Sequence, residues 1–173
     1  MPIDQSVLAG KAAAYQDVLQ EGMKKSASLG TTRSAFLCHS HKDETLVKGL
    51  LTLFNEAGID LYIDWKDHSM PETPNAATAK TIQDAIKDRT VFMFLATANA
   101  KASRWCPWEI GYADSNSRKI FIVPTEDGAG TYGNEYLQLY SRIDLGSHEK
   151  RTGLAVFRAG MAKGEWLSAA LLR

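Results

Sequence analysis

The stretch Ser103-Arg-Trp-Cys-Pro-Trp-Glu109, continuing into Ile110-Gly-Tyr-Ala-Asp114, carries the residue types best suited to chemistry in this chain. It follows an apolar run, Val91-Phe-Met-Phe-Leu-Ala96, that reads as a buried strand, and it reads itself as the start of a helix. Helix starts at the carboxyl ends of parallel strands are where open α/β sheets bind ligands. A glutamate held there against two tryptophans loses solvation, which is costly unless the group works. Helical spacing puts Cys106, Ile110 and Ala113 on one face and Trp105, Glu109 and Tyr112 on a neighbouring stripe. Glu109 is therefore expected to border the core without pointing into its centre. The competing reading is a helix-start carboxylate favoured by the macrodipole, worth about 0.3–1 kcal/mol. Spacing alone leaves the two equally open.

His39 and His41 flank Ser40 after another strand and resemble an HxH metal pair. A hydrolytic metal site needs further ligands. The remaining histidines, His68 and His148, sit at no recognisable strand end, so no metal is expected. The His39–Ser40 turn is expected instead to line a pocket mouth and start a helix. Asp64, Trp65, Asp67 and His68 fall in the loop after the second strand, at the same sheet edge. They read either as a flap shaping the pocket or meeting a neighbouring copy, or as ordinary solvated loop. There is no P-loop, GxGxxG, GxSxG or HExxH. The two cysteines, Cys38 and Cys106, are too few for a disulfide scaffold and read as buried small hydrophobes.

Strands and helices must alternate to position these groups. Residues 3 to about 28 carry Leu8, Ala12, Tyr15, Leu19 and Met23 at helical spacing, which predicts an amphipathic helix packed on the domain. Ser34–Cys38 predicts the first core strand. Ser40 and Asp43 offer N-cap oxygens to a helix burying Leu46, Val47, Leu50, Leu51 and Phe54, ended by Gly58 in a left-handed cap. Ile59–Ile63 predicts a second strand and residues 76–88 a helix with Ala79, Ile82 and Ile86 inward. Thr90–Ala96 predicts a third, central strand, 104–117 a helix, and Lys119–Pro124 a fourth strand. Beyond it the pattern predicts a loop at Asp127–Gly130, a short edge strand at Arg142–Leu145, and one or two helices over His148–Leu172. This alternation means an α/β fold with a parallel sheet covered on both faces. The expected organisation is a helical extension over 1–30 and an α/β domain over 31–173, its core at 34–124 and a C-terminal strand and helices at 125–173.

The bulk properties narrow the function classes. The 173 residues suit one domain, 45% are hydrophobic and 23% charged, and the 20 basic residues balance 20 acidic ones. Zero formal charge argues against nucleic-acid or anionic-membrane partners and makes self-association electrostatically easy. No apolar stretch approaches the roughly 20 residues that span a bilayer, and no basic leader is seen. The expected location is the cytoplasm.

Three segments in order resemble the Toll/interleukin-1 receptor (TIR) domain. Ala35-Phe-Leu-Cys-His-Ser40 with Lys42-Asp43 resembles its first strand and the loop opening its first helix. Leu61-Tyr-Ile-Asp64 resembles its second strand, leading into the variable BB loop. Ser103-x-Trp-Cys-x-x-Glu109 resembles the family's signature in the third helix, and is the specific motif of the three. The match spans roughly Ser34 to Pro124. As a small domain with its own N-terminal helix, the chain is most similar to stand-alone prokaryotic TIR proteins of anti-phage defence, the Thoeris type among them.

The resemblance implies a flavodoxin-like three-layer sandwich. In enzymatic members it implies cleavage of the nicotinamide–ribose bond of NAD, with Glu109 at the catalytic position and NAD as substrate rather than cofactor. It places Phe36, His39, Ser40, Asp64, Trp65, Ser103 and Trp105 around the nucleotide. It also implies self-association, and a cyclic ADP-ribose isomer as a signal to a downstream effector. Two departures stand out: Cys38 replaces a frequent serine, and the loop from Asp64 to Asn75 lacks the usual glycine. Two other classes stay open. One is a non-catalytic TIR adaptor. The other is a nucleoside deoxyribosyltransferase-like enzyme, separable by its inactivity on NAD.

Overall fold

The computed structural model describes residues 1–16, 34–59, 62–63, 75–116, 118–149 and 151–168. Its centre is a sheet with strand order β3-β2-β4-β5-β7-β8-β9, in which β1 and β6 also pair with β5. Strands β2 (Ser34–Cys38), β3 (Tyr62–Ile63), β4 (Val91–Ala96), β5 (Lys119–Asp127) and β7 (Ser141–His148) run parallel. All six residues of β4 are buried, as a middle strand covered on both faces requires.

Alternation along the strands divides the interior in two. Ala35, Leu37, Val91, Met93, Leu95, Phe121 and Val123 face one cluster, closed by α1 (Gln5–Lys11) and α2 (Glu44–Glu56). Cys38, Phe92, Phe94, Ala96, Ile120 and Ile122 face the other, closed by α3 (Ala76–Lys87), α4 (Ala98–Ala102) and α5 (Trp105–Ser115). Helix ends follow their caps. Asn75 accepts from the Thr78 amide at 2.8 Å, and Gly58 (φ 74°) closes α2 with Ile59 N–H on the Phe54 carbonyl at 2.9 Å.

The expected order of elements is observed from Ser34 to Pro124, with differences at both ends. The N-terminal segment opens with a strand, β1 (Ile3–Asp4), which pairs with Thr125–Glu126 of β5 before α1 begins. Ile3 and Leu8 are fully buried in the first cluster, and the Leu19 and Met23 positions lie outside the described residues. After β5, the Asp127–Gly130 turn joins it to β6 (Gly130–Tyr132) as a hairpin.

The helices expected over 148–172 are a correction. That region instead carries strands β8 (Arg151–Phe157) and β9 (Gly164–Trp166), both antiparallel. Their presence makes β7 an internal strand of eight residues where a short edge strand was expected. Gly160 is the left-handed turn (φ 68°) between β8 and β9. Gly146 and Gly153 lie under Trp166, so that a Cβ on either would meet its ring at 3.5 and 3.8 Å. Glycines that weaken a helix thus serve here as a flat seat for an indole.

Asp43 also behaves differently from expectation. It makes no capping bond to α2. Its buried carboxylate reaches across the sheet edge, accepting from Thr97 Oγ1 at 2.5 Å and Asn99 Nδ2 at 2.6 Å. Thr97 Oγ1 also accepts from the Ala100 amide at 2.9 Å, capping α4. The loop after β2 and the loop after β4 are thereby tied together. Thr97→Val removes both bonds and leaves Asp43 underpaired, so a stability loss of about 2 kcal/mol is expected. Urea denaturation checks this; an unchanged midpoint would mean the tie is idle.

Candidate active site

Strand order reverses between β2 and β4: the chain first adds β3 on one side of β2, then β4 on the other. Crevices at such switch points, outside the carboxyl ends of the strands, bind ligands in open α/β sheets. Cys38 ends β2, Ala96 ends β4, and α5 begins just beyond, on the second face.

Ser103 starts α5. Its Oγ accepts from the Trp105 amide at 3.1 Å and the Cys106 amide at 3.4 Å, satisfying donors that a helix start leaves open. Pro107 fits the first turn, where its missing N–H costs nothing. One turn in, Glu109 is only 4% exposed. Stripe spacing implied a border position. Glu109 is in fact enclosed, buried on α5 with Cys106, Ile110 and Ala113. Burial pushes Glu109 up from 4.5 to about 7, against a smaller downward pull from the Cys38 thiol. The group is therefore poised between its acid and its anion at neutral pH.

Aromatic surface flanks it. Trp105 and Trp108 meet edge-to-face at 5.6 Å between ring centres, and Trp108 stacks on Tyr112 at 5.7 Å. Trp108 is exposed, and the buried Trp105 Nε1 has no hydrogen-bond partner among the described residues. Tyr136, in a helical turn at Asn134–Tyr136, packs edge-on against Phe94 at 5.6 Å from the same face.

The other expected residues fall as follows. His39 and Ser40 follow Cys38 at the sheet edge. His39 Nδ1 lies 3.0 Å from the Leu37 carbonyl, which fits a proton on Nδ1, and Ser40 Oγ accepts from the Lys42 amide at 3.4 Å. Phe36 lies deeper, one same-face step behind Cys38, stacked on Phe92 at 5.5 Å. Ser103, Trp105 and Glu109 share the start of α5. Asp64 and Trp65 lie outside the described residues. No cluster of three or more His, Cys, Asp or Glu that could hold a metal occurs among the described residues. Both cysteines are free and buried. Sequence reading missed how fully Glu109 is enclosed on the buried side of α5.

Such a site can set a carboxylate against positive charge forming on a bound molecule, in a dry environment where that charge matters most. Among the described residues no helix is long and apolar enough to cross a membrane. A 150-residue stretch is 29% identical to a Bacillus cereus (strain MSX-D12) protein named "Probable 3' cyclic ADP-D-ribose synthase ThsB'", covering 84% of this chain and 77% of that one. A 97-residue stretch is 27% identical to a Cytobacillus dafuensis protein named "Putative cyclic ADP-D-ribose synthase TIR2", covering 54% of this chain and 26% of that one. The profile of the TIR domain matches residues 35–155, from the start of β2 into β8. The chain belongs to the TIR domain family.

Proposed function

We propose that this protein cleaves the nicotinamide–ribose bond of NAD and closes the ADP-ribose fragment into a cyclic isomer. The burial of Glu109 on α5, beyond the carboxyl ends of β2 and β4 where strand order reverses, is the observation that supports this reading. Breaking the bond sends its electron pair to the nicotinamide nitrogen, so nicotinamide leaves neutral and needs no general acid. The positive charge remains on the ribose as an oxocarbenium-like centre, which the Glu109 anion stabilises. An adenine nitrogen or a ribose hydroxyl of the same molecule then takes the anomeric carbon; with a hydroxyl, the released proton can pass to Glu109. Exclusion of water favours this closure over hydrolysis.

In this reading Trp105 walls the crevice, Phe36, His39, Ser40 and Ser103 bound the nucleotide end, and Asp64 and Trp65 contribute to nucleotide binding. The relatives' names as cyclic ADP-D-ribose synthases support the product class. The protein would draw on the cytoplasmic NAD pool, assemble through its TIR domain, and signal in anti-phage defence to an effector that reads the nucleotide.

The test is incubation of concentrated protein with NAD, following nicotinamide and nucleotide products by chromatography with mass detection. Nicotinamide with a product one water lighter than ADP-ribose is expected. Because Glu109 must be ionised and NAD has no group titrating near neutrality, kcat/KM should rise with pH and level off above about 7. A flat profile between pH 5.5 and 8.5 would remove Glu109 from the charge-stabilising role. Release of nicotinamide from no condition tried would favour the adaptor class.

A further inference from the structure

Two loops leave the sheet at the switch point and turn to opposite faces. The loop after β2 carries His39 and Ser40 and enters α2 on the first face, while the loop after β4 enters α4 and α5 on the second. A crevice opens between loops that diverge in this way. One buried side chain spans it. Asp43 is 4% exposed, and its carboxyl oxygens accept separately, Oδ2 from Thr97 Oγ1 at 2.5 Å and Oδ1 from Asn99 Nδ2 at 2.6 Å.

This tie reaches the candidate site on both sides through fixed local geometry. On the β2 side, the Asp43 amide donates to the Ser40 carbonyl at 2.9 Å, so the carboxyl and Ser40 belong to one turn. On the β4 side, Thr97 Oγ1 accepts from the Ala100 amide, and the Ser103 amide donates to the Ala100 carbonyl at 3.1 Å. Ser103 Oγ in turn accepts from the first amides of α5, and Glu109 lies one turn further along that helix. A hydrogen-bonded path thus runs from the turn at Ser40 to the start of the helix that carries Glu109. Asp43 makes no capping bond to α2, and both its side-chain partners among the described residues are neutral. A buried carboxyl of this kind adds little net stability over an apolar packing. A fully paired polar network does fix one geometry.

We propose that the Asp43–Thr97–Asn99 tie sets the width of the crevice, and thereby decides whether the nucleotide closes on itself or is captured by water. This rests on the reading of Glu109 as the group that stabilises a ribose cation formed from NAD. Closure requires the nucleotide end, bounded by His39 and Ser40 on one loop, to fold back on a carbon held beside Glu109 on the other. Misplacement by about 1 Å can cost an aligned reaction about 100-fold. Water is small and needs no such alignment. Its oxygen bonds to the anomeric carbon, its proton passes to Glu109, and linear ADP-ribose results. Loosening the tie therefore penalises closure more than hydrolysis. Asp43, Thr97 and Asn99 are positioning residues in this scheme, acting through the two loops they hold together.

The test compares wild type, Thr97→Val, Thr97→Ser and Asn99→Leu by the ratio of cyclic to linear product formed from NAD, at a temperature where circular dichroism shows each protein folded. Only molecules that turn over contribute to this ratio, so a loss of stability lowers both products and leaves it unchanged. Thr97→Val should lower the ratio by at least about 10-fold. Thr97→Ser keeps the hydroxyl and should stay within about twofold of wild type. Asn99→Leu removes one bond, leaves the cap on Ala100, and should lower the ratio several-fold even if the valine variant fails to fold. Ratios unchanged in every folded variant overturn the proposal, as does a wild type that yields linear product alone. A wild type that binds NAD but releases no nicotinamide removes the cleavage reading. The width of the crevice is then read from NAD affinity by calorimetry: weaker binding in Thr97→Val, restored in Thr97→Ser, upholds the tie, and equal affinities end it.

Discussion

Glu109→Gln is expected to lower nicotinamide release from NAD by at least about 100-fold, as for removing one preorganised electrostatic partner of a transition state. The same substitution should make the folded protein more stable above neutral pH. In the unfolded chain Glu109 ionises at its ordinary value of 4.5, and in the fold at about 7. Below 4.5 the group is neutral in both states, and burying it costs little. From 4.5 to 7 the folded state keeps a proton that the unfolded state has lost, so wild-type stability falls as pH rises. Above 7 the full penalty of a buried anion remains, roughly 3 kcal/mol. Glutamine has a similar shape and no charge, and escapes this penalty. Urea denaturation of both proteins should therefore coincide near pH 4.5 and diverge in favour of the variant by pH 8.5. A variant that keeps its activity would sink the catalytic assignment. Curves that stay parallel at all pH would mean that the carboxyl is not held in a dry site. Gain of stability together with loss of activity would mark Glu109 as a group retained for chemistry at the expense of the fold.

Residue types and spacing already contained most of this site, because the information was local. The apolar run of β4, the serine before α5 and the Trp-Cys-x-x-Glu spacing each depend on neighbours within one turn or one strand. Burial of Glu109 was not legible, since it depends on how α5 packs against β2, β4 and β5, which are separate elements of the chain. The Asp43 tie to Thr97 and Asn99 was hidden for the same reason: an aspartate before a helix reads as a cap until a distant hydroxyl claims it. The C-terminal region failed differently. Leu154, Val156 and Phe157, with glycines at 153, 160 and 164, fit helix and strand about equally well over so short a run. Pairing with β7 decided the outcome, and β7 owes its place to β5. The start of the chain shows a third case, in which helical spacing at Leu8 and Tyr15 was correct but said nothing about how closely the helix docks.

That docking makes Gly49→Ala the substitution expected to damage the fold most. A Cβ at Gly49 would lie 1.8 Å from the carbonyl oxygen of Leu8, and 2.5 and 2.8 Å from that residue's carbonyl carbon and Cα. These are backbone atoms, so no side-chain rotation relieves the overlap and α1 must move off α2. Moving it uncovers Leu8 and strains the β1 pairing that holds Ile3, both fully buried against β2, β4 and β5. Each large apolar side chain returned to water costs about 1.5–3 kcal/mol. Alanine in a helix gains only about 1 kcal/mol over glycine. The net loss should be about 3–5 kcal/mol by urea denaturation, with new protease cleavage within residues 1–16. Gly10→Ala is the control: it lies in α1 with nothing within 4 Å of its Cβ position, and should be neutral or slightly stabilising. If Gly49→Ala matched that control, α1 would be a loosely held appendage. If it unfolds the domain as expected, the first sixteen residues are part of the core that supports β2 and β4, and so of the frame that carries Glu109.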